Sequence, residues 1–259
     1  MKNVDTKGLV LFTRHYRERD LLVKIFTESF GKRMFFIKNA SKSRFTASLQ
    51  PFTVGNFNAT INADGLSFLN DVGDVVALTA LQSDLDTNAH ASVIISLADE
   101  VITDGEYDPA LYDFLVKTLE LMNAGVDSGV LMSIFEIQLL SRFGVRLNLT
   151  ECAVCGRRDL PLDFSVKFDG CLCKNHWAQD PRRQHLEPNT LYLVGQFQEI
   201  TLSALTKISV NAQNKQKIQD FISWLFDEYV GVKTRAMRFL EKMPDWEIFK
   251  LEKKGESNG

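Results

Sequence analysis

What this 259-residue sequence lacks narrows it first. No run approaches the ~20 apolar residues that a membrane-spanning helix needs. The first apolar run, GLVLF from Gly8 to Phe12, is too short for the core of a secretory leader. The expectation is therefore a cytosolic chain, in which thiols stay reduced. Cysteine is scarce, with four residues, all between Cys152 and Cys173, so a disulfide framework is not expected. Catalytic signatures are missing too: there is no G-x-S-x-G, H-E-x-x-H or G-x-G-x-x-G. Gly31–Lys32 resembles the end of a phosphate loop, but Phe26 stands where the upstream glycine belongs. His15 and His90 are isolated and read as surface or satisfied side chains.

Hydrophobic residues make up 45% of the chain, enough for a sizeable core divided between two domains. The charged fraction of 24% and the mean hydropathy of -0.10 are those of an ordinary globular protein. The net charge of -3 conceals an asymmetry. Residues 1–50 carry eleven Lys or Arg against four acids, a balance of +7 that leaves -10 for the rest. Residues 81–128 hold ten acids and one base, Lys117. One end of the chain can therefore face a polyanion, whereas the middle repels it and reads as a solvated helical face.

The first 80 residues have strand periodicity. In NFNATIN, Phe57, Ala59 and Ile61 alternate with polar neighbours, the period of a half-buried strand. GLVLF, LLVKIFT, KRMFFIKN and LSFLN complete five short strands, with turns at Gly31, Asn62–Gly65 and Gly73. Such a set predicts a small closed or nearly closed barrel, with an SH3-like barrel as the competing form. After residue 80 the spacing becomes helical. Leu111, Phe114, Leu115, Leu119 and Met122 form one stripe, and Leu131, Ile134 and Phe135 another. Ile218, Phe221, Ile222, Leu225, Phe226 and Tyr229 form a third. The fold class read from this is α+β: a β-barrel at 1–80, a helical domain at 81–245, and a disordered tail at 246–259.

The cysteines sit in CAVCGRRDLPLDFSVKFDGCLCKNHW. Cys152 and Cys155 make C-x2-C, and Cys173 and His176 make C-x2-H. The gap between the pairs suits two knuckles closing one tetrahedral zinc site, spanning 150–178, with Gly156 and Gly170 in the turns. Cys171 is the alternative fourth ligand, on a poorer spacing. Four protein ligands leave no open position for water, so the ion is expected to brace structure rather than to catalyse. His185–Leu186–Glu187 spells the H-x-E of nucleobase deaminases, but it follows the cysteine pairs instead of preceding them.

The segment KRMFFIKNASKSRF mixes cations with rings. Lys24, Lys32, Arg33, Lys38, Lys42 and Arg44 are candidate phosphate contacts, the flexible loop ASKSR above all, with Lys233, Arg235 and Arg238 as a second patch. Lys24, inside LLVKIF, has an interdomain junction as its other placement. Phe35 and Phe36 point to opposite faces of a strand, so at most one belongs to the core.

Several blocks resemble one family. RERDLLVKIFTESFGKRMFFIKNASKSRF (Arg17–Phe45) with LQPF (Leu49–Phe52) is similar to the N-terminal region of the bacterial recombination mediator RecO. FEIQLLSRFGVRLNLTECAVCG (Phe135–Gly156) resembles the helix leading into that family's cysteine pair, and DGCLCKNH (Asp169–His176) its second knuckle. VKTRAMRFL (Val232–Leu240) looks like its C-terminal basic helix. The resemblance implies an N-terminal OB-fold, a helical domain carrying a zinc module, and binding of single- and double-stranded DNA. It further implies ATP-independent strand annealing and, with RecR, the loading of RecA onto DNA coated by single-strand-binding protein (SSB). The SSB C-terminal tail would be a direct partner, and the site of action the nucleoid in the cytoplasm. Two departures stand out: His176 where many relatives have cysteine, and Thr234 in place of the usual serine. The rival readings are a zinc hydrolase or deaminase, and a zinc-stapled scaffold that binds only proteins.

Overall fold

The computed structural model describes residues 2–243, so the expected tail at 246–259 lies outside the described residues. The fold is mixed α+β, with an antiparallel sheet first and helices after it. Two compact units are present. One holds the residues up to Ser128 and resumes at Thr234; the other is Gly129–Lys233.

In the first unit all five expected strands form: β1 (Lys2–Tyr16), β2 (Asp20–Thr27), β3 (Gly31–Ile37), β4 (Thr53–Ile61) and β5 (Phe68–Ala77). They make one sheet in the order β3-β2-β1-β4-β5, with every neighbouring pair antiparallel. Along β4, Phe57, Ala59 and Ile61 are buried while Asn56 is exposed, as the alternation requires. Val10, Val23, Ile25, Phe35 and Ile37 join them in the sheet core. Phe35 is fully buried and Phe36 only partly so, which is the split that the pleat dictates. The sheet does not close by a ladder among the described residues. Its edges meet at Ser67, just ahead of β5: the Ser67 N–H donates to Met34 O (2.8 Å), and the Phe36 N–H donates to Ser67 O (3.0 Å).

Three helices complete this unit: α1 (Thr79–Ser83), α2 (Leu85–Val101) and α3 (Pro109–Asn123). Acids of the middle stretch begin two of them. Asp84 accepts from the Thr87 N–H at 2.8 Å and Asp108 from the Leu111 N–H at 3.0 Å, each satisfying an otherwise orphan donor of a first turn. The α3 stripe faces inward as expected, and Tyr112 meets Phe26 of β2 edge to face at 5.5 Å. No stripe announced α2, because Ala91, Val93, Ile94, Ile95, Leu97 and Ala98 are buried around more than one face. Gly31 opens β3 at φ +67°, and a Cβ there would lie 2.1 Å from Glu106 O, so only glycine fits. Residues 235–243 are helical.

The second unit contains α4 (Ser128–Leu139), a three-stranded sheet of β6 (Asn148–Cys152), β7 (Leu162–Ser165) and β8 (Gly170–Cys173), then α5 (Pro188–Glu199) and α6 (Ala212–Leu225). The sheet order is β6-β8-β7, with β6 parallel and β7 antiparallel to β8. The apolar stripe of α6 is buried at Ile218, Phe221, Ile222 and Leu225 and continues into a π-turn over Phe226–Val230.

Glu136 on α4 is an acid inside this unit. Burial pushes its carboxyl up to about 8, against a hydrogen bond from Gln219 Nε2 (3.3 Å) that lowers it. The folded state thus keeps a proton that the unfolded chain releases near 4.5. Stability contributed by this group is complete below the unfolded value and is lost as pH rises towards about 8. Glu136→Gln is expected to stabilise the protein by roughly 3 kcal/mol at neutral pH and to change little in mild acid. Urea titrations at the two pH values check this; equal stabilities throughout would show that Glu136 is ionised in the fold.

Candidate metal clamp and basic face

Cys152 ends β6 and Cys173 ends β8, so strand pairing brings the two knuckles together. Cys152 and Cys171 are register partners in the parallel pair, and the Ala153 N–H donates to Cys171 O at 2.7 Å. In the first knuckle the Gly156 N–H returns to Cys152 O (2.8 Å), and Gly156 adopts φ +69°. In the second the His176 N–H returns to Cys173 O (2.7 Å). Gly170 is not a knuckle turn as expected. It opens β8 against Asn148 O, and Asp169 before it takes the left-handed conformation at φ +46°.

The ligand atoms of Cys152, Cys155, Cys173 and His176 all lie within 4.8 Å of one another, a group that can hold a metal ion. His176 turns Nδ1 towards it, 3.2 Å from Cys173 Sγ and 3.5 Å from Cys152 Sγ. Burial opposes ionisation of Cys152, but backbone N–H groups of Cys173, Val154 and Cys155 outweigh it and bring the thiol down to about 6. Cys171 lies outside the group. It is fully buried, and desolvation, with Asp163 and Cys152 adding charge repulsion, pushes it up to about 12. It packs as a small apolar side chain. The apolar cluster around the clamp is small: Cys152, Leu172 and Cys173 are buried, with Leu160, Leu162, Phe168 and Trp177 against them. Beside the module, buried Asp163 accepts from the His185 and Leu186 N–H groups and pairs with Arg183 at 2.8 Å. His185 is exposed and Glu187 stands at the N-cap of α5, so the H-x-E run is part of a helix entry.

The expected phosphate contacts divide sharply. Lys24 donates to both carboxylate oxygens of Asp99 on α2 at 2.9 Å, with its ammonium 4.7 Å from the centre of the Phe12 ring. Lys32 has a side chain only 8% exposed, 3.0 Å from Asp99 Oδ1 and 3.5 Å from Asp104 Oδ1, and donates to Asp99 O at 2.6 Å. Arg33 donates to Phe30 O (3.1 Å), Asn62 O (3.1 Å) and Ala63 O (3.3 Å). These three do not project into solvent as free cations; they tie the sheet to α2 and to its own turns. The acidic stretch is correspondingly not a wholly solvated face, because Asp99 sits between two lysines.

Lys38, Lys42 and Arg44 are exposed. Arg44 is 72% exposed, pairs with Asp71 at 3.1 Å and lies 4.9 Å from the centre of the Phe45 ring. The ASKSR segment is not an unstructured loop. It folds into short 3-10 turns at Ala40–Lys42 and Thr46–Ser48, because Ala40 and Leu49 are buried and Thr46 Oγ1 donates to Ala40 O at 2.5 Å. The Ala40 N–H donates to Arg19 O (2.7 Å) and the Asn39 N–H to Asp20 Oδ1 (3.0 Å). These bonds dock the loop on the β1–β2 hairpin, where Arg14, Arg17 and Arg19 are exposed. Those three arginines were not among the expected contacts; their crowding in RHYRERD was the available signal. In the second expected patch Lys233, Arg235 and Arg238 are all exposed, and Arg235 and Arg238 lie on the helix that Thr234 begins. Thr234 caps that helix, at 235–243: its Oγ1 accepts from the Met237 N–H at 3.2 Å and lies 2.8 Å from Ser96 Oγ. Threonine does here what a serine hydroxyl would do.

Comparison with known proteins places these features. Residues 1–76 match the family model of the recombination protein O N-terminal region, and residues 82–238 that of its C-terminal region. Together they define a recombination protein with both family regions in one chain. The chain is 54% identical over 246 residues to the DNA repair protein RecO of Lactococcus lactis subsp. cremoris strain SK11, covering 95% of this chain and 98% of that protein. It is 50% identical to the DNA repair protein RecO of Streptococcus sanguinis strain SK36, covering 95% and 96%. The chain belongs to the RecO family, and its role is in DNA repair and recombination. Among the described residues no helix is long and apolar enough to cross a membrane.

Proposed function

We propose that this chain is an ATP-independent DNA-binding mediator that holds single- and double-stranded DNA and anneals complementary strands. With RecR it helps RecA load onto strands coated by SSB, whose acidic tail it binds, in the cytoplasm at the nucleoid. Annealing needs no hydrolysis, since base pairing supplies the driving force once phosphate repulsion is neutralised. In this reading the sheet of residues 1–80 works as an OB-fold, for which the Ser67 bonds joining β3 to the approach of β5 are the support. The helical part runs from residue 81 through the described residues, with a module at 150–178 that Cys152, Cys155, Cys173 and His176 hold through a zinc ion. Thiolates and imidazole suit zinc, and four protein ligands suit a bracing role better than a hydrolytic one.

The observation that carries the reading is the exposed basic cluster at one end of the sheet. Lys38, Lys42 and Arg44 on the loop join Arg14, Arg17 and Arg19 on the hairpin docked against it. Lys24, Lys32 and Arg33 are assigned a structural role instead, in the ion pairs with Asp99 and the bonds to the turns. Arg235 and Arg238, with Lys233, form the second patch. The test is fluorescence anisotropy with labelled strands over a range of salt. Lys42→Ala with Arg44→Ala should weaken binding and lower the slope of log K against log salt by about two, one for each phosphate no longer neutralised. An unchanged slope would remove the loop from the site, and absence of binding at low salt would overturn the mediator reading.

A further inference from the structure

The hairpin end of the sheet carries an aromatic pair as well as cations. Tyr16 is the last residue of β1, and Phe36 lies near the end of β3, two strands away. Register explains their meeting. Arg14 pairs with Leu22 and Leu22 with Phe36, while Tyr16 pairs with Asp20, so Arg14, Tyr16 and Phe36 share one face of the pleat. The rings stand edge to face with centroids 6.2 Å apart. Tyr16 is 39% exposed, and its hydroxyl makes no hydrogen bond among the described residues. Arg17, held at φ +57° in the hairpin turn, places its guanidinium 5.2 Å from the centre of the Tyr16 ring. Lys38 follows β3, and the loop bearing Lys42 docks on Arg19.

A large ring left in water, its hydroxyl without a protein partner and cations on its flanks, has a chemical use. Each base of an unpaired strand presents a π-face, whereas a duplex hides those faces in its stack. Phosphates that follow such a base would fall to the surrounding cations. We propose that Tyr16, propped by Phe36 and flanked by Arg17, is a base-stacking platform by which this surface prefers single strands to duplex. The platform rests on the DNA-binding reading of the same face and adds to it an interaction that salt does not weaken.

Tyr16→Leu and Tyr16→Trp in the full-length chain test it, with labelled oligothymidylate and a labelled duplex of equal length as probes. Tyr16→Leu is expected to weaken oligothymidylate binding about ten-fold while leaving the duplex affinity and both salt slopes as they were. Tyr16→Trp should restore single-strand affinity, and its added emission, relative to the wild type, should be quenched by oligothymidylate and not by duplex. The emission reads the stacking directly even if Tyr16→Leu loses stability. Equal losses on both probes, a flattened slope, or emission of the Tyr16→Trp variant that stays unquenched with oligothymidylate bound would each overturn the platform and leave the basic surface standing. A wild-type protein that binds neither probe would overturn the surface and the platform together.

Discussion

Cys152→Ser is expected to purify without the zinc ion that the wild type is proposed to carry, at one per chain, and to lose at least about 4 kcal/mol of stability, or roughly 10 °C in Tm for a chain of this length. The reason is the poverty of the module's own core. Cys152, Leu172 and Cys173 are its buried cluster, and two of these belong to the group that can hold the ion. Strand pairing of β6 with β8 brings the knuckles together over strands of only five and four residues. The proposed ion would tie them more firmly, because a structural site contributes its binding free energy to folding. Cys171→Ser makes the contrast. Cys171 is buried outside the ligand group, so the variant should keep the full metal content and lose only the ~1–3 kcal/mol of a hydroxyl placed in an apolar site. Metal analysis and thermal melts on both variants decide the matter. Metal retained in Cys152→Ser, or lost in Cys171→Ser, would mean that the clamp is assembled from different ligands.

Asp99→Ala is expected to cost about 3–5 kcal/mol, a large effect for one substitution in the first unit. Its carboxylate neutralises Lys24 and Lys32 at once, and Lys32 is nearly buried. Removing the anion leaves the nearly buried Lys32 ammonium to the exposed Asp104 carboxylate at 3.5 Å, a weaker partner screened by water. Lys32→Met, by contrast, removes the buried charge and leaves Asp99 paired with Lys24, so it should cost less than half as much. Denaturant titration of the two variants gives the comparison. If Lys32→Met proves the more damaging, the bond from Lys32 Nζ to Asp99 O, not the neutralised charge, is what joins β3 to α2. The pair of variants also bears on DNA binding: because neither lysine projects freely, Lys24→Ala and Lys32→Ala should act on stability before they act on affinity.

Much of the architecture was legible because its signals are local. The five strands show in alternation such as Phe57, Ala59 and Ile61, and the α3 and α6 stripes in 3.6-residue spacing. The α2 helix was not legible, since a helix buried around more than one face carries no stripe. The small β6–β8–β7 sheet was also missed: its strands are four or five residues long, too short to display a period. The clamp was legible from the C-x2-C and C-x2-H spacing, which reports the knuckle turns, and His176 rather than Cys171 joins the group in space.

The basic face divides along the same line. The sequence by itself determined that the first fifty residues are cationic and that the cysteines and His176 fall in pairs with metal-ligand spacing, because counts and short spacings are properties of the covalent chain. Only the tertiary structure decided which of those cations face solvent. Lys24 and Lys32 meet an acid 75 and 67 residues further on, and Arg19 meets a loop about twenty residues away. Whether a charge faces solvent or another charge depends on which distant element folds across it, and no local pattern encodes that.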